Sequence, residues 1–197
     1  MLQKRTRKGF YFCDKVHATM AIIESFEELI GNTPLLKLNK LFPPSQTTPS
    51  IYAKLELKNP YSIKDRPAMT MIKKAWEEGS INHETEVVEA SSGNTAISIA
   101  SLGATLGFPV KIFMHEGCSN ERRQILTALG ATVVLTPKKD LTEGARLLAI
   151  KYCEDSGGKA FFLNQHSNQS NALGHYTGLL SIYLKTFHHL IFNSLLL

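Results

Sequence analysis

The strongest constraint on the fold is a recurrence between residues 84 and 165. Short apolar, β-branched runs at residues 86–90, 109–114, 132–136 and 160–163 alternate with helical stretches at 94–106, 120–129 and 141–154. The first three runs start roughly 23 residues apart, enough for a strand, a turn and a returning helix. Each helical stretch closes near glycine: Gly107, Gly130 and the pair Gly157-Gly158. Strands spaced by helices in this way build successive βαβ units, so the pattern predicts an α/β fold with a parallel sheet and flanking helices. In such sheets ligands bind beyond the carboxyl ends of the strands, at the strand-to-helix turns.

Upstream, residues 33–38 and 51–57 read as two more strands, separated by a Pro/Ser/Thr-rich loop at 41–50. Pro67 then falls in the first turn of a helix that residues 68–78 continue, where its missing N–H costs nothing. Two turns are placed to carry chemistry. One is Asn59-Pro-Tyr-Ser-Ile-Lys64-Asp-Arg66-Pro67, between a strand and a helix start. The other is Ser91-Ser92-Gly93-Asn94-Thr95, which follows the apolar strand ending at Ala90 and opens the next helix.

A helix N-terminus presents unpaired N–H groups and about half a positive charge, which suits an anion. Gly93 allows close backbone approach, and Ser91, Ser92 and Thr95 add hydroxyl donors around one small carboxylate or phosphate. The competing reading is that Ser92 or Asn94 simply caps the helix. Lys64 likewise has two readings. It is part of a solvated Lys-Asp-Arg face, or it is an amine that forms a Schiff base with a carbonyl compound.

Charge and composition exclude several classes. Of the net charge of +5, residues 1–19 supply +4 (Lys4, Arg5, Arg7, Lys8 and Lys15 against Asp14), leaving +1 for the remainder. That is no polyanion-binding surface, so no nucleic-acid partner is expected. No stretch reaches the ~18–20 apolar residues that span a bilayer. The apolar tail at 179–197 is interrupted by Lys185, Thr186, His188, His189 and Asn193, so no membrane role is expected either. Cys13, Cys118 and Cys153 form no CxxC pair, which argues for a reducing compartment and against a zinc site. His83, His115 and His166 read as surface or packing residues, with no histidine coupled to a cysteine. Dinucleotide, P-loop and zinc-protease signatures are missing.

Taken together, the turns resemble the cysteine synthase family of pyridoxal-phosphate (PLP) β-replacement enzymes, of fold type II. Glu28-Leu-Ile-Gly-Asn-Thr-Pro-Leu35 is similar to its opening signature, and Lys54-Leu-Glu56 through Ser62-Ile-Lys64-Asp-Arg66 to its cofactor-lysine signature. Ser91–Thr95 is similar to its substrate loop, and Glu121-Arg-Arg123 through Leu129-Gly-Ala131 to its middle segment. Lys58-Asn-Pro60, Asp65-Arg-Pro67 and His175-Tyr176-Thr177 lean towards the B type, an O-acetylserine sulfhydrylase.

The resemblance implies that Lys64 holds PLP as a Schiff base and acts as general base. It implies that Asn94 bonds the cofactor's 3′-oxygen, and that Ser91, Ser92, Thr95 and Gln165 grip the substrate carboxylate. The implied reaction joins O-acetylserine and sulfide into cysteine and acetate, in a cytoplasmic homodimer acting on a small amino acid. Cystathionine synthesis, serine/threonine deamination and a non-catalytic interaction fragment are the alternatives.

The implied organisation is a basic extension (1–19), N-terminal strands of the larger PLP domain (20–64), a smaller α/β domain with the substrate loop (65–170), and a return to the larger domain ending in an apolar tail (171–197). The sequence departs from the family in three places. Only Tyr61 separates Pro60 from Ser62, Ala96 replaces a glycine, and the resemblance stops after Gly178. A C-terminally truncated member is therefore expected, lacking the family's PLP phosphate loop and binding the cofactor weakly.

Overall fold

In a computed structural model of the chain, the described residues are 22–181, apart from 44 and 46–49, together with 183 and 184. The basic extension, Cys13, much of the 41–50 loop, His188-His189 and most of the apolar tail lie outside them.

Strands β1 (Leu35–Lys37) and β2 (Tyr52–Lys54) pair antiparallel, with Leu36 opposite Ala53. Helix α1 (Asp65–Glu77) follows. Then come β3 (Glu86–Ala90), α2 (Asn94–Leu106), β4 (Val110–His115), α3 (Asn120–Ala128), β5 (Thr132–Thr136), α4 (Leu141–Asp155) and β6 (Ala160–Phe162). Helix α5 (Gln169–His175) runs into a π-helical turn at Tyr176–Leu180. The four later strands form one parallel sheet in the order β5-β4-β3-β6. The expected α/β architecture is therefore present.

The apolar runs are nearly continuous because both sheet faces are covered. Val87 and Ile112 pack with Met71 and Ile72 of α1, Ile99 and Leu102 of α2 and Leu126 of α3. Val88 and Ala90 pack with Phe113 and with Ala145 and Ala149 of α4. Each fully buried Ile, Leu or Val side chain contributes about 1.5–3 kcal/mol. Gly103, in the middle of α2, permits close approach to β4. A methyl group there would stand 2.3 Å from Val110 Cγ2 and 3.0 Å from the Phe108 carbonyl oxygen.

Strand order sets the functional geography. The chain steps from β3 to β4 to β5 with α2 and α3 on one face, then returns by α4 on the other face and places β6 beside β3. That reversal makes a switch point between β3 and β6, where ligands collect in open α/β sheets. The turns leaving these two strands carry Ser91–Thr95 and Asn164-Gln165.

The apolar run at 51–57 is strand only as far as Lys54, and Glu56–Lys58 is a 3-10 turn. The Glu56 side chain is drawn to Arg66, which turns the chain away from the strand direction. Among the described residues no helix is long and apolar enough to cross a membrane.

Candidate active site

The Lys64 turn is organised by its neighbour Asp65, which is 2% exposed. Asp65 Oδ2 accepts the Tyr61 and Ser62 N–H groups at 2.8 and 3.1 Å, and Ser62 Oγ accepts the Lys64 N–H at 3.0 Å. Asp65 Oδ1 accepts the Ser98 hydroxyl of α2 at 2.5 Å. One buried carboxylate thus ties the lysine turn to the helix that follows Ser91–Thr95. The Lys64 side chain is half-buried, and its ammonium makes no ion pair among the described residues. It lies near His175. Burial, together with the Lys64 and Arg66 charges, lowers the His175 imidazole below its usual range, against an opposing pull from Glu56.

Arg66 anchors the same turn from below. Its Nε and one terminal nitrogen bond the two Glu56 oxygens at 2.6 and 2.9 Å. It also donates to Thr33 Oγ1 at 3.1 Å and to the Gly178 carbonyl at 2.6 Å. Burial alone would raise the Glu56 carboxyl. Hydrogen bonds from Arg66, Thr33 and Asn59, with the Arg66 charge, outweigh it and hold the group at about 2. Gly31 closes over this pair with φ +86°, and a Cβ there would stand 2.9 Å from the Arg66 guanidinium. Both the conformation and the space call for glycine. The Gly-Asn-Thr-Pro stretch is therefore the lid of a buried ion pair.

The second turn is built at the start of α2, whose N-cap is Gly93 with no side-chain cap. Neither Ser92 nor Asn94 consumes the helix's N-terminal N–H groups, so the capping reading fails. Ser91 is buried, and its hydroxyl accepts the Gly93 N–H at 3.3 Å. Arg122 of α3 donates to the Ser92 carbonyl at 2.9 Å. Asn94 is exposed, and its side chain makes no hydrogen bond among the described residues. Thr95 and Gln165, 4% and 9% exposed, meet across the switch point, the Thr95 hydroxyl donating to Gln165 Oε1 at 2.6 Å. Beneath them Glu89 is buried in β3. Burial pushes its carboxyl up to about 7, although the Gln165 and Ala90 N–H groups pull it down.

The six residues expected to form the site therefore fall on three turns. The structure joins Thr95 to Gln165 directly and the Lys64 turn to α2 through Asp65. Sequence reasoning missed Asp65, Ser98, Glu89 and Arg122. The one available signal was a glutamate inside the apolar Glu86–Ala90 run. An apolar cavity of about 390 Å³, lined by Met69, Ile72, Trp76 and Leu106 among others, includes neither turn.

The thiols correct one expectation. Cys118 Sγ lies 3.3 Å from His115 Nε2, because the turn after β4 folds back over three residues. Cys118 is half-buried. Cys153 is pushed up to about 11 by burial and by the Glu86 charge, only partly offset by Lys111. Thiolate is the reactive form. At pH 8, iodoacetamide should therefore label Cys153 at least ~10-fold more slowly than a free cysteine thiol in solution, as read by peptide mass spectrometry. Equal rates would contradict this effect of its environment.

A family profile described as "Pyridoxal-phosphate dependent enzyme" matches residues 26–190. The chain belongs to this family. Among the family's curated members, the chain is 41% identical over 156 residues to cysteine synthase B of Salmonella typhimurium, which covers 79% of this chain and 50% of that one. It is 41% identical over 156 residues to cystathionine beta-synthase of Saccharomyces cerevisiae, covering 77% and 31% respectively. The crystal structure of cysteine synthase from Entamoeba histolytica superposes with a TM-score of 0.77 at 33% identity, covering 86% of this chain and 51% of that one. The chain thus spans about half the length of the first curated relatives that it matches. Its fold is that of the fold type II PLP enzymes.

A PLP-dependent enzyme needs a primary amine for the cofactor's aldehyde and positioned donors for the bound acid. The Lys64 amine, free of ion pairs among the described residues, and the uncapped N-terminus of α2 fit those two requirements.

Proposed function

We propose that the chain carries the lysine and carboxylate-binding parts of a cysteine synthase site, joining O-acetylserine and sulfide into cysteine and acetate. The supporting observation is the uncapped start of α2, with the Thr95–Gln165 pair beside it and the Lys64 turn tied to the same helix. A substrate α-carboxylate would meet backbone N–H groups, the Ser91 and Ser92 hydroxyls and the Gln165 amide, which fixes its orientation. Lys64 Nζ would hold the cofactor and then take the α-proton, and Asn94 would bond the cofactor's 3′-oxygen. PLP supplies the electron sink for that proton's removal. Support for the lysine role comes from its place at a rigid turn that Asp65 fixes in three hydrogen bonds. The reading carries with it a cytoplasmic homodimer that uses free amino acids and no nucleic acid.

Titrating the chain with PLP, then adding O-acetylserine and sulfide, tests the proposal. Weak visible absorbance from lysine-bound cofactor, followed by slow cysteine release, is the expected outcome. Cofactor absorbance that O-acetylserine leaves unchanged would refute the reaction. The yeast relative favours a second reading, in which a larger thiol such as homocysteine replaces sulfide. Comparing the two thiols in the same assay separates them.

A further inference from the structure

We propose that Glu89 is a positioning residue for ligand binding, acting through the main chain of Gln165. The inference rests on the reading above, in which Gln165 faces the amino-acid carboxylate.

Glu89 is 1% exposed, one residue before the carboxyl end of a strand whose other buried residues are Val87, Val88 and Ala90. A carboxyl group in such a place has to be held by hydrogen bonds. Its two oxygens each accept one main-chain N–H: Oε1 that of Ala90 at 2.9 Å, and Oε2 that of Gln165 at 3.1 Å. It makes no ion pair among the described residues. The group therefore does not serve charge pairing. What it holds across 76 residues of sequence is the first residue after Asn164.

Asn164 has φ +52°, in the left-handed region. Such a backbone persists where its surroundings over-determine it. They do so at Gln165, which is gripped at three points. Its N–H goes to Glu89, its carbonyl oxygen accepts Asn171 Nδ2 at 2.8 Å, and its side-chain Oε1 accepts the Thr95 hydroxyl. With Oε1 committed to Thr95, the Gln165 amide nitrogen is left to donate to a ligand. Of the three grips, only the one from Glu89 comes from the sheet, so it sets the height of Gln165 over the end of β3.

The test uses Glu89→Ala, Glu89→Gln, Gln165→Ala and the Glu89→Ala/Gln165→Ala double variant in the full chain. The first readout needs neither cofactor nor substrate. Amide hydrogen exchange at Gln165 should rise at least ~10-fold in Glu89→Ala, while the amides of Val87 and Ile112 in the same sheet stay protected. Glu89→Gln keeps a single acceptor oxygen for the two N–H groups and sets its NH2 against the other, so it should restore the Gln165 protection only in part.

The second readout is kinetic. KM for O-acetylserine should rise ~10-fold in Glu89→Ala with kcat changed far less, and the double variant should be no worse than Gln165→Ala. Unchanged exchange at Gln165, or penalties that add in the double variant, would overturn the proposal. If no form turns over and yet Gln165 exchange still responds to Glu89→Ala, the cysteine synthase reading fails and the clamp stands.

Discussion

Lys64→Ala should abolish the visible absorbance of lysine-bound PLP and lower cysteine formation by about 10³-fold or more, since both covalent attachment and the proton acceptor are lost. Its thermal unfolding should match the parent within about 0.5 kcal/mol, because a half-buried side chain with no ion pair among the described residues contributes little to packing. The fold and the chemistry are thereby separated in a single variant. Lys64→Arg sharpens the result, because a guanidinium keeps the positive charge but does not deprotonate to form a Schiff base. Both substitutions should behave alike by absorbance and by assay. Residual lysine-type absorbance in either would show that another amine holds the cofactor and that the turn is only a solvated face.

Arg66→Ala should be the most damaging change to stability. It leaves Glu56 half-enclosed without its bidentate partner, and breaking a buried pair from one side costs about 3–5 kcal/mol. Domains of ordinary stability hold only about 5–15 kcal/mol in total, so partial unfolding near 37 °C is expected in a chemical denaturation series. The parent carries the same dependence on pH. Glu56 is held at about 2, below its ordinary 4.5. The pair's contribution is therefore complete above about pH 4.5 and is lost as pH falls towards 2, by about 3 kcal/mol. Arg66→Ala should flatten that acid limb. A parent whose stability is level between pH 5 and pH 2.5 would contradict the assignment.

Much of the α/β core was legible because its signals are local. The boundaries of β3, α2 and β5 follow the apolar periodicity to the residue, and α4 ends one residue beyond its expected limit. The expected strand over 51–57 overran, because Glu56 and Leu57 continue an alternating pattern that a tertiary contact to Arg66 overrides. The turns of the site could be located, but not what stabilises them. Asp65 reaches Ser98 across 33 residues, Thr95 reaches Gln165 across 70, and Arg122 reaches Ser92 across 30. No window of local periodicity contains such pairs. Glu89 was visible only as an anomaly, since a charged residue inside an apolar strand announces that it has a partner without saying which.

The partners of Arg66 also bear on how the chain is made. Glu56 lies ten residues before Arg66 and Gly178 lies 112 after it. On a ribosome adding about 5–20 residues each second, the guanidinium emerges several seconds before its last acceptor. Glu56 and Thr33 are already out by then, so the nascent charge is neutralised early. The βαβ units of the sheet have that interval to assemble beside it. Closure onto Gly178 then comes late, as a latch on an interior that is already formed.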